Sequence, residues 1–221
     1  MTSERSLQCA AILFDLDGVL VDSAACIEGT WRRWALRHQF DPAQVIALAH
    51  GRRATETLQL VAPHLQPEIE LAALAAGEFS ARDGILEIEG AREILQQLPA
   101  GTWGIVTSGI REAATFRLRH TRLPVPEVLV CADDIQHGKP DPEGYLTAAR
   151  RLGVSPNSCV VIEDAPAGLE AAREAGMRSV GVTGTYSREA LAMADYTIPR
   201  LTSMHVAATH DAHVELHFVS D

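Results

Sequence analysis

Two carboxylates one residue apart are the first feature of this sequence that could do chemistry. Asp15 and Asp17 follow the apolar run from Ala10 to Phe14, which has the length of a buried strand. Alternate strand residues point to the same side, so both carboxylates can face the strand's carboxyl end, where open α/β sheets bind ligands. Neighbouring carboxylates repel unless a cation neutralises them, which indicates a metal site, a reaction, or both. The alternative is a hairpin turn at Asp17-Gly18, a common turn pair between apolar runs.

Hydroxyl and backbone N–H groups follow a second apolar run. Thr107, Ser108 and Gly109 come after Gly104-Ile105-Val106 and before a predicted helix. A hydroxyl and N–H groups in that position can cradle an oxyanion or a phosphate. The alternative is an ordinary helix cap followed by a turn glycine. Taken alone, this segment leaves both interpretations open.

A lysine and a second acid pair complete the candidate groups. Lys139 is followed by Pro140 and Pro142, which stiffen the segment, so the lysine can be aimed at a phosphate or hold a nearby carboxylate ionised. Glu163 and Asp164 close an apolar run and can be metal ligands. The alternatives are a solvated loop lysine and, for the two acids, capping and first-turn charges of the next helix.

The elements that must position these groups alternate between strands and helices over most of the chain. That alternation predicts right-handed βαβ units and a doubly wound α/β fold with a mostly parallel sheet. Such a sheet collects the carboxyl ends of its strands along one edge, so the candidate groups should meet there, in an oxygen-rich site of the kind that suits Mg²⁺. The predicted strands are 10–14, 103–107, 128–132, 159–162, 179–182 and 196–198, and the helices between them are 91–98, 111–120, 142–152 and 166–175.

A helical insert interrupts this alternation directly after the first strand. Apolar spacing and prolines at first turns predict helices over 22–38, 42–49, 52–61 and 67–76, with no strand between Asp22 and Leu86. We therefore expect a Rossmann-like core formed by residues 1–21 and 87–221 and an inserted α-helical domain over residues 22–86.

The two ends of the chain carry weaker signals. The polar stretch from Met1 to Gln8 predicts a loose segment. The stretch from Val214 to Phe218 alternates apolar and polar residues, which predicts an edge strand with one solvated face. His213 and His217 would share that polar face, and because their spacing matches no standard metal motif we interpret them as surface residues.

Composition limits the partners that this chain can have. Its formal net charge of −10 argues against a nucleic-acid or anionic-membrane surface. It does not argue against a small phosphorylated metabolite, because local cations and a metal can outweigh the mean charge. The four scattered cysteines indicate reduced thiols, and no apolar run approaches the length of a membrane span. We expect a cytoplasmic protein that is a monomer or a weak homodimer, without nucleic-acid or membrane partners.

Four segments of the chain together resemble the motifs of the haloacid dehalogenase-like hydrolase superfamily, and the helical insert is similar to the small α-helical cap of one of its subclasses. The ending Ala-Pro-Ala-Gly in the last segment, with His50-Gly51 in the cap, makes the chain similar to the sugar-phosphate and polyol-phosphate phosphatases. That branch includes 2-deoxyglucose-6-phosphate and glycerol-phosphate phosphatases. The four segments are Asp15-Leu16-Asp17-Gly18, Thr107-Ser108-Gly109, Gly138-Lys139-Pro140 and Glu163-Asp164-Ala165-Pro166-Ala167-Gly168.

The resemblance implies a Mg²⁺-dependent phosphatase that hydrolyses small sugar or polyol phosphates. It implies that Asp15 attacks phosphorus and forms an aspartyl-phosphate, while Asp17 acts as general acid and then as general base. It also implies that the Asp15 carboxylate, the Asp17 backbone carbonyl and Asp164 hold Mg²⁺, with Glu163 near the ion. Family members commonly have Thr at the position of Val19, and valine keeps the β-branched shape there.

The resemblance also implies which groups hold the substrate. Thr107 and the N–H of Ser108 would bind the transferring phosphoryl oxygens, and Lys139 would offset the charge on phosphate and nucleophile. The cap would close over the site and exclude water. Its loop from His50 to Arg53 would set the substrate, with His50 and Arg52 as contacts, because two arginines at a helix start can face an anion or hydroxyls. The alternative is a loop glycine beside surface arginines.

Other functions remain alternatives at this stage. A β-phosphoglucomutase-like isomerase would share the nucleophile and the fold, but that family places Ser and Lys where this chain has Gly109 and Ile110. A haloacid dehalogenase works without a metal and without the second acid, Asp17. A non-catalytic binding or regulatory protein of this fold should have lost motif residues, whereas the principal ones are present. A dinucleotide binder is disfavoured because no Gly-x-Gly-x-x-Gly follows the first strand.

Overall fold

The computed structural model describes residues 3–80, 84–210 and 213–220. No helix in these ranges is both long enough and apolar enough to cross a membrane. The strands are β1 (Ser3–Cys9), β2 (Ala11–Phe14), β3 (Val21–Asp22), β4 (Leu86–Glu87), β5 (Trp103–Val106), β6 (Val128–Val130), β7 (Cys159–Glu163), β8 (Arg178–Val182), β9 (Tyr196–Ile198), β10 (Met204–His210) and β11 (His213–Ser220). The α-helices are α1 (Ala24–Arg37), α2 (Pro42–Ala49), α3 (Ala54–Val61), α4 (Pro67–Ser80), α5 (Ala91–Gln97), α6 (Arg111–His120), α7 (Glu143–Leu152) and α8 (Pro166–Glu174).

Six parallel strands form the central sheet in the order β6-β5-β2-β7-β8-β9. Ile12 on β2 lies opposite both Trp103 on β5 and Val160 on β7. Strands β2 and β7 are buried along their whole length, as is typical of parallel strands covered by helices on both faces. The predicted doubly wound α/β fold is confirmed. The chain order of the strands reverses between β2 and β7, which is where open α/β sheets bind ligands.

The apolar core of this unit lies on both faces of the sheet. Ile12 and Phe14 pack on one face with residues of α5 and α6, and Leu13 packs on the other with residues of α7 and α8. Burying one large apolar side chain contributes about 1.5–3 kcal/mol. The two-sided core therefore fixes the positions of the strand ends at the reversal point.

Helices α1 to α4, which we call the cap, pack around a separate apolar core. Trp31, Trp34 and Leu58 are buried in it. The indole N–H of Trp34 donates to Glu70 Oε2 at 2.7 Å, so the polar edge of the ring is paired inside the cap. The predicted cap helices are all present, and α4 continues to Ser80, past the predicted end at residue 76.

A two-stranded antiparallel ribbon joins the cap to the central unit. Strands β3 and β4 pair Val21 with Glu87 and Asp22 with Leu86. The sequence predicted no strand from Asp22 to Leu86. This prediction was wrong at its two ends, because Asp22 lies in β3 and Leu86 lies in β4. The outgoing and returning segments run side by side here, so pairing satisfies their backbone polar groups. The boundaries expected at 21/22 and 86/87 fall within this ribbon and remain predictions.

The strand predicted over residues 214–218 is present within β11, but its predicted edge position and the predicted loose segment at the other end of the chain were wrong. Strand β1 covers most of the segment expected to be loose, and it pairs antiparallel along β11. Strand β11 is the middle strand of a second sheet, β1-β11-β10, rather than an edge strand. The reason is burial: Leu7 and Cys9 on β1 and Leu216 and Phe218 on β11 face the core. Two apolar residues in a polar stretch were too weak a pattern to predict β1.

Candidate active site

The first acid pair lies where β2 ends, at the middle of the central sheet. Asp15 is buried and Asp17 is half-buried. The N–H of Gly18 donates to the carbonyl of Val21 at 2.8 Å, so the chain does turn at Asp17-Gly18. Gly18 has a φ of +90°, and a Cβ there would lie 1.9 Å from Asp164 Oδ2. Only glycine lets this turn approach the second acid pair, so the turn itself brings the two pairs together.

Lys139 links the two acid pairs. Its Nζ donates to Asp15 Oδ1 at 2.5 Å, to Glu163 Oε1 at 2.6 Å and to the carbonyl of Val106 at 3.2 Å. The ammonium group is buried and lies 5.3 Å from the centre of the Tyr145 ring. Three donated hydrogen bonds use its full donor capacity. The stiff segment predicted from the sequence therefore directs the lysine inward.

The Glu163 carboxylate is fixed by several partners besides Lys139. The Tyr145 hydroxyl donates to its Oε1 at 3.0 Å, and the N–H groups of Asp164 and Ala165 each donate to its Oε2 at 2.9 Å. Helix α8 passes so close that a Cβ at Gly168 would lie 1.6 Å from Glu163 Oε1. Glu163 is thus positioned at the start of α8, where a negative charge is favoured.

Burial and charge shift the proton equilibria of this cluster. Burial raises the pKa of Asp15 well above its ordinary value, which Lys139 opposes and the carboxylates of Glu163 and Asp164 reinforce. Burial, with Glu163 adding, raises the pKa of Asp164 from 3.8 to about 7 against a hydrogen bond from Thr185. Burial alone would lower the pKa of Lys139, but Asp15 and Glu163 raise it well above its ordinary value. The lysine therefore stays charged.

Three carboxylates of the cluster fit a divalent cation. Asp15, Glu163 and Asp164 each place one oxygen within 4.8 Å of the others. Carboxylate oxygens are ligands that Mg²⁺ prefers. A cation here would favour the ionised forms that burial and mutual repulsion disfavour. The side chain of Asp17 does not belong to this group, and the contribution of its backbone carbonyl stays a prediction.

The predicted hydroxyl segment lies beside the acid pair, at the end of β5. Thr107 Oγ1 accepts the N–H of Gly109 at 3.0 Å and lies 3.5 Å from Asp17 Oδ2, too far for a strong hydrogen bond. Ser108 Oγ donates to the carbonyl of Gly51 at 2.9 Å. The Ser108 side chain therefore contacts the cap, which leaves its backbone N–H as the group that could meet a phosphate.

Two residues that the sequence did not single out hold the carboxylate of Asp17. Ser23 Oγ donates to Asp17 Oδ1 at 2.5 Å, and Arg117 Nη1 donates to Oδ2 at 2.9 Å. Arg117 lies on α6 and is only 3% exposed, although arginine is rarely buried. The sequence did contain a signal, because Arg117 shares the inward stripe of α6 with Ala113 and Ala114. A charged residue on a buried stripe indicates a buried partner.

A cleft of about 770 Å³ separates the cap from the ends of the central strands. Its floor contains both acid pairs and Lys139, and its cap side includes His50 and Arg52. His50 Nε2 lies 3.4 Å from Glu28 Oε1, and its ring packs edge-on against Tyr186. The cleft has the size of a small-molecule site.

Arg53, the last residue of the cap loop, lines the cleft and also binds the central unit through its guanidinium group. Its Nη1 donates to the carbonyl of Ile135 at 3.0 Å, and its Nη2 donates to that of Gln136 at 2.6 Å. Glu56 pairs with Arg53 and accepts the N–H of Gly138 at 2.9 Å. The cap is thus fastened to the segment that carries the buried lysine.

The sequence pattern of the haloacid dehalogenase-like hydrolases matches residues 9–176, which include both acid pairs and the whole cap. The chain belongs to the haloacid dehalogenase-like hydrolase family. A solved structure shares its fold: the crystal structure of a hydrolase from Pseudomonas syringae superposes with a TM-score of 0.78 at 26% identity, covering 88% of this chain and 94% of that chain.

Two characterised relatives are phosphatases by name. Hexitol phosphatase A of Escherichia coli is 41% identical over 181 residues, which are 80% of this chain and 84% of the relative. The 2-deoxyglucose-6-phosphate phosphatase 2 of Saccharomyces cerevisiae is 32% identical over 223 residues, covering 90% of this chain and 91% of the relative. The resemblance of this haloacid dehalogenase-like hydrolase to sugar-phosphate and polyol-phosphate phosphatases is confirmed.

Proposed function

We propose that this chain is a Mg²⁺-dependent phosphatase that hydrolyses small sugar or polyol phosphates through an aspartyl-phosphate on Asp15. One observation carries the proposal. Lys139 Nζ contacts Asp15 Oδ1 at 2.5 Å on the floor of the cleft, with Asp17 two residues further along. A carboxylate that is buried, oriented by a cation and open to a cleft is suited to nucleophilic attack. The named activities of the two relatives supply the substrate class.

The proposed reaction has two steps. A carboxylate oxygen of Asp15 forms a bond to phosphorus, the bond from phosphorus to the substrate oxygen breaks, and Asp17 gives its proton to that oxygen. A water molecule then attacks phosphorus and loses a proton to Asp17, which breaks the bond to Asp15 and releases inorganic phosphate. Splitting the displacement in this way replaces one difficult step by two easier ones.

The other groups of the site have supporting roles in this proposal. Asp15 and Asp164, with the backbone carbonyl of Asp17 and with Glu163 close by, would hold Mg²⁺. When bound, the ion stabilises negative charge on the transferring phosphoryl group. Lys139 orients Asp15 and offsets the same charge.

Neutral and cationic groups around the acid pair would bind the substrate. Thr107 and the backbone N–H of Ser108 would meet phosphoryl oxygens. His50 and Arg52 lie on the cap side of the cleft, where they can contact the sugar or polyol. A cytoplasmic location, tested by cell fractionation, and a monomeric or weakly dimeric state, tested by sedimentation, also belong to this proposal.

The experiment is phosphate release by the wild-type chain and Asp15→Asn. The substrates are a hexitol phosphate, 2-deoxyglucose 6-phosphate, glycerol phosphate and a nucleotide, each with Mg²⁺ and with EDTA. We expect Mg²⁺-dependent release from the sugar and polyol phosphates and none with Asp15→Asn, whose thermal midpoint should stay close to that of the wild type. Asp41→Asn is the control, because Asp41 is exposed and caps α2, a role that asparagine keeps.

Three results would contradict the proposal. Unchanged turnover by Asp15→Asn would contradict a covalent intermediate on Asp15. Full activity in EDTA would contradict the proposed requirement for Mg²⁺. An isomeric sugar phosphate as product, without free phosphate, would indicate a mutase.

A further inference from the structure

Each acid of the first pair has a buried cation of its own. Within residues 3–80, 84–210 and 213–220, the buried lysine and arginine side chains are Lys139 and Arg117. Lys139 contacts Asp15, and Arg117 contacts Asp17. The first contact belongs to the family motifs. The second involves Arg117, which lies outside all four motif segments. Burying a charge is costly unless the charge is paired, so the buried position of Arg117 needs an explanation.

Arg117 connects Asp17 to the cap through the two ends of its guanidinium group. Nη1 donates to Asp17 Oδ2 at 2.9 Å, and Nη2 donates to Glu78 Oε2 on α4 at 2.6 Å. Burial alone would lower the pKa of Arg117, but the carboxylates of Asp17 and Glu78 raise it above its ordinary value. The guanidinium is planar and rigid, so fixing one end at Glu78 fixes the direction of the other.

The contacts of Asp17 leave its carboxylate little freedom to rotate. Ser23 donates to Oδ1 at 2.5 Å while Arg117 donates to Oδ2, so each oxygen has a separate donor on a separate segment. Gly109 leaves room for the guanidinium group, because a Cβ at Gly109 would lie 3.3 Å from Arg117 Nη1. The loop that should meet the phosphate therefore packs directly on this guanidinium.

We propose that Arg117 is a positioning residue for the proton transfer made by Asp17, and that Glu78 anchors it. This inference rests on the proposed function, in which Asp17 protonates the departing oxygen. That proton moves from an Asp17 oxygen to the substrate oxygen while the bond from that oxygen to phosphorus breaks and its electron pair stays on the oxygen. The transfer requires the carboxylate to lie within hydrogen-bond distance of the departing oxygen. In this role Arg117 acts through Asp17 and forms no bond to phosphorus.

The test compares two substrates that differ in their need for this proton. A hexitol phosphate releases an alkoxide and needs it, whereas p-nitrophenyl phosphate releases a stable phenolate and does not. The quantity measured is kcat/KM with saturating Mg²⁺, because it reports steps up to departure of the leaving group. The later hydrolysis of the aspartyl-phosphate, common to both substrates, does not enter it.

The variant is Arg117→Lys, which keeps a buried positive charge but cannot reach two carboxylates with a fixed fork. We expect kcat/KM for the hexitol phosphate to fall about 100-fold, as misplacing a catalytic group by about 1 Å does. For p-nitrophenyl phosphate we expect a change of about threefold or less, since general-acid help is not needed. With Arg117→Ala, added guanidinium ion should restore part of the lost kcat/KM for the hexitol phosphate only.

Arg119→Ala is the matched control, because Arg119 lies on the same helix and is exposed. It should leave both substrates unchanged. Glu78→Gln removes the anchor's charge and should cause a smaller loss that is again confined to the hexitol phosphate. An equal loss on both substrates with Glu78→Gln would overturn the anchoring role of Glu78.

An equal loss on both substrates with Arg117→Lys, or none on either, would overturn the positioning role of Arg117. Asp17→Asn separates this outcome from failure of the proposed function. If Asp17→Asn shows the selective loss and Arg117→Lys does not, only the further inference is wrong. If Asp17→Asn itself shows no selectivity, the acid role of Asp17 is wrong and both proposals fall.

Discussion

Asp164 is an acid whose surroundings favour the protonated form. Burial raises its pKa from 3.8 to about 7, and the pKa of neighbouring Asp15 is raised well above its ordinary value for the same reason. A carboxyl whose pKa is higher in the folded state contributes stability that is complete below its unfolded pKa. That contribution is lost as the pH rises through the folded pKa.

At the scale of single residues we therefore predict that Mg²⁺ stabilises the protein more at about pH 8 than at about pH 5. In EDTA, the stabilising contribution of Asp164 should decline as the pH rises from its unfolded pKa of 3.8 to its folded pKa of about 7. Mg²⁺ binds the ionised carboxylates and should reverse this loss. The measurement is the thermal midpoint in EDTA and in Mg²⁺ at both pH values.

Asp164→Asn is the control for this pH dependence, because acids whose pKa is lowered in the folded state make stability change with pH in the opposite direction. Hydrogen bonds from the backbone of Gln136 and His137 lower the pKa of Glu143, for example. The difference between wild type and Asp164→Asn in EDTA isolates the contribution of Asp164. An Mg²⁺ shift of equal size at both pH values would contradict the assignment of Asp164 as a ligand.

The residues that could be foreseen from sequence are those that follow apolar strands directly. Asp15, Glu163 and Lys139 stand beside strand ends or stiff prolines, so local pattern was enough to single them out. Arg117 could not be paired with Asp17 in this way, since its contact spans 100 residues of sequence. A charged residue on an inward helical stripe shows that a partner exists but not which one.

At the scale of elements, the contact between β7 and α8 depends on one glycine. A Cβ at Gly168 would lie 1.6 Å from Glu163 Oε1 and 2.1 Å from Cδ. We predict that Gly168→Ala displaces either the start of α8 or the Glu163 carboxylate from Lys139 and Tyr145. The expected cost is about 1–3 kcal/mol of unfolding free energy, together with loss of phosphatase activity. Urea denaturation and phosphate release measure the two effects.

Gly29→Ala is the matched control for this substitution. Gly29 lies within α1, and the nearest atom to a Cβ there is Arg33 Nη1 at 3.4 Å, the end of a flexible side chain. Because alanine favours the helix by about 1 kcal/mol over glycine, Gly29→Ala should be neutral or stabilising. A Gly168→Ala variant that unfolds at the wild-type urea concentration would show that the close approach has no energetic importance.

Most elements followed from periodicity, and the exceptions have tertiary causes. Helix α4 runs through Gly77 to Ser80, because packing of Leu74 in the cap core outweighs the low helix propensity of one glycine. Strand β1 has few apolar residues and is defined by its ladder with β11, a partner about two hundred residues away in sequence. Local patterns cannot encode a partner at that separation.

At the scale of the whole molecule, the cap is held closed partly by Arg53. Its two donated bonds reach the carbonyls of Ile135 and Gln136, four and three residues before Lys139. We predict that Arg53→Ala raises KM for a hexitol phosphate about tenfold, which corresponds to about 1.4 kcal/mol of closure energy. Part of the substrate's binding free energy is then used to close the cap, so substrate binding weakens while kcat changes less. Steady-state kinetics with Mg²⁺ measure both constants.

Arg37→Ala controls for loss of an arginine from the cap, because Arg37 is exposed in the last turn of α1. It should leave KM unchanged. A wild-type KM with Arg53→Ala would show that these contacts do not contribute to closure.

The global arrangement was only partly foreseeable. Alternating strands and helices predicted a parallel sheet, but the strand order that places β2 beside β7 depends on packing between distant segments. The existence of the insert followed from its helical periodicity, while the ribbon at its base did not. Two-residue strands carry too little pattern to be recognised, although pairing at the base of an insert satisfies backbone groups that would otherwise need solvent.

The β3–β4 ribbon ties the base of the cap to the central unit. Both covalent connections of the cap pass through it side by side, so that edge stays joined whenever the cap moves. The cap loop is held to the central unit by non-covalent contacts: from Ser108 to the Gly51 carbonyl, from Arg53 and Glu56 to the segment before Lys139, and between the rings of His50 and Tyr186. We therefore expect the cap to open about the ribbon, with substrate entry and phosphate release past the cap loop that carries His50 and Arg52.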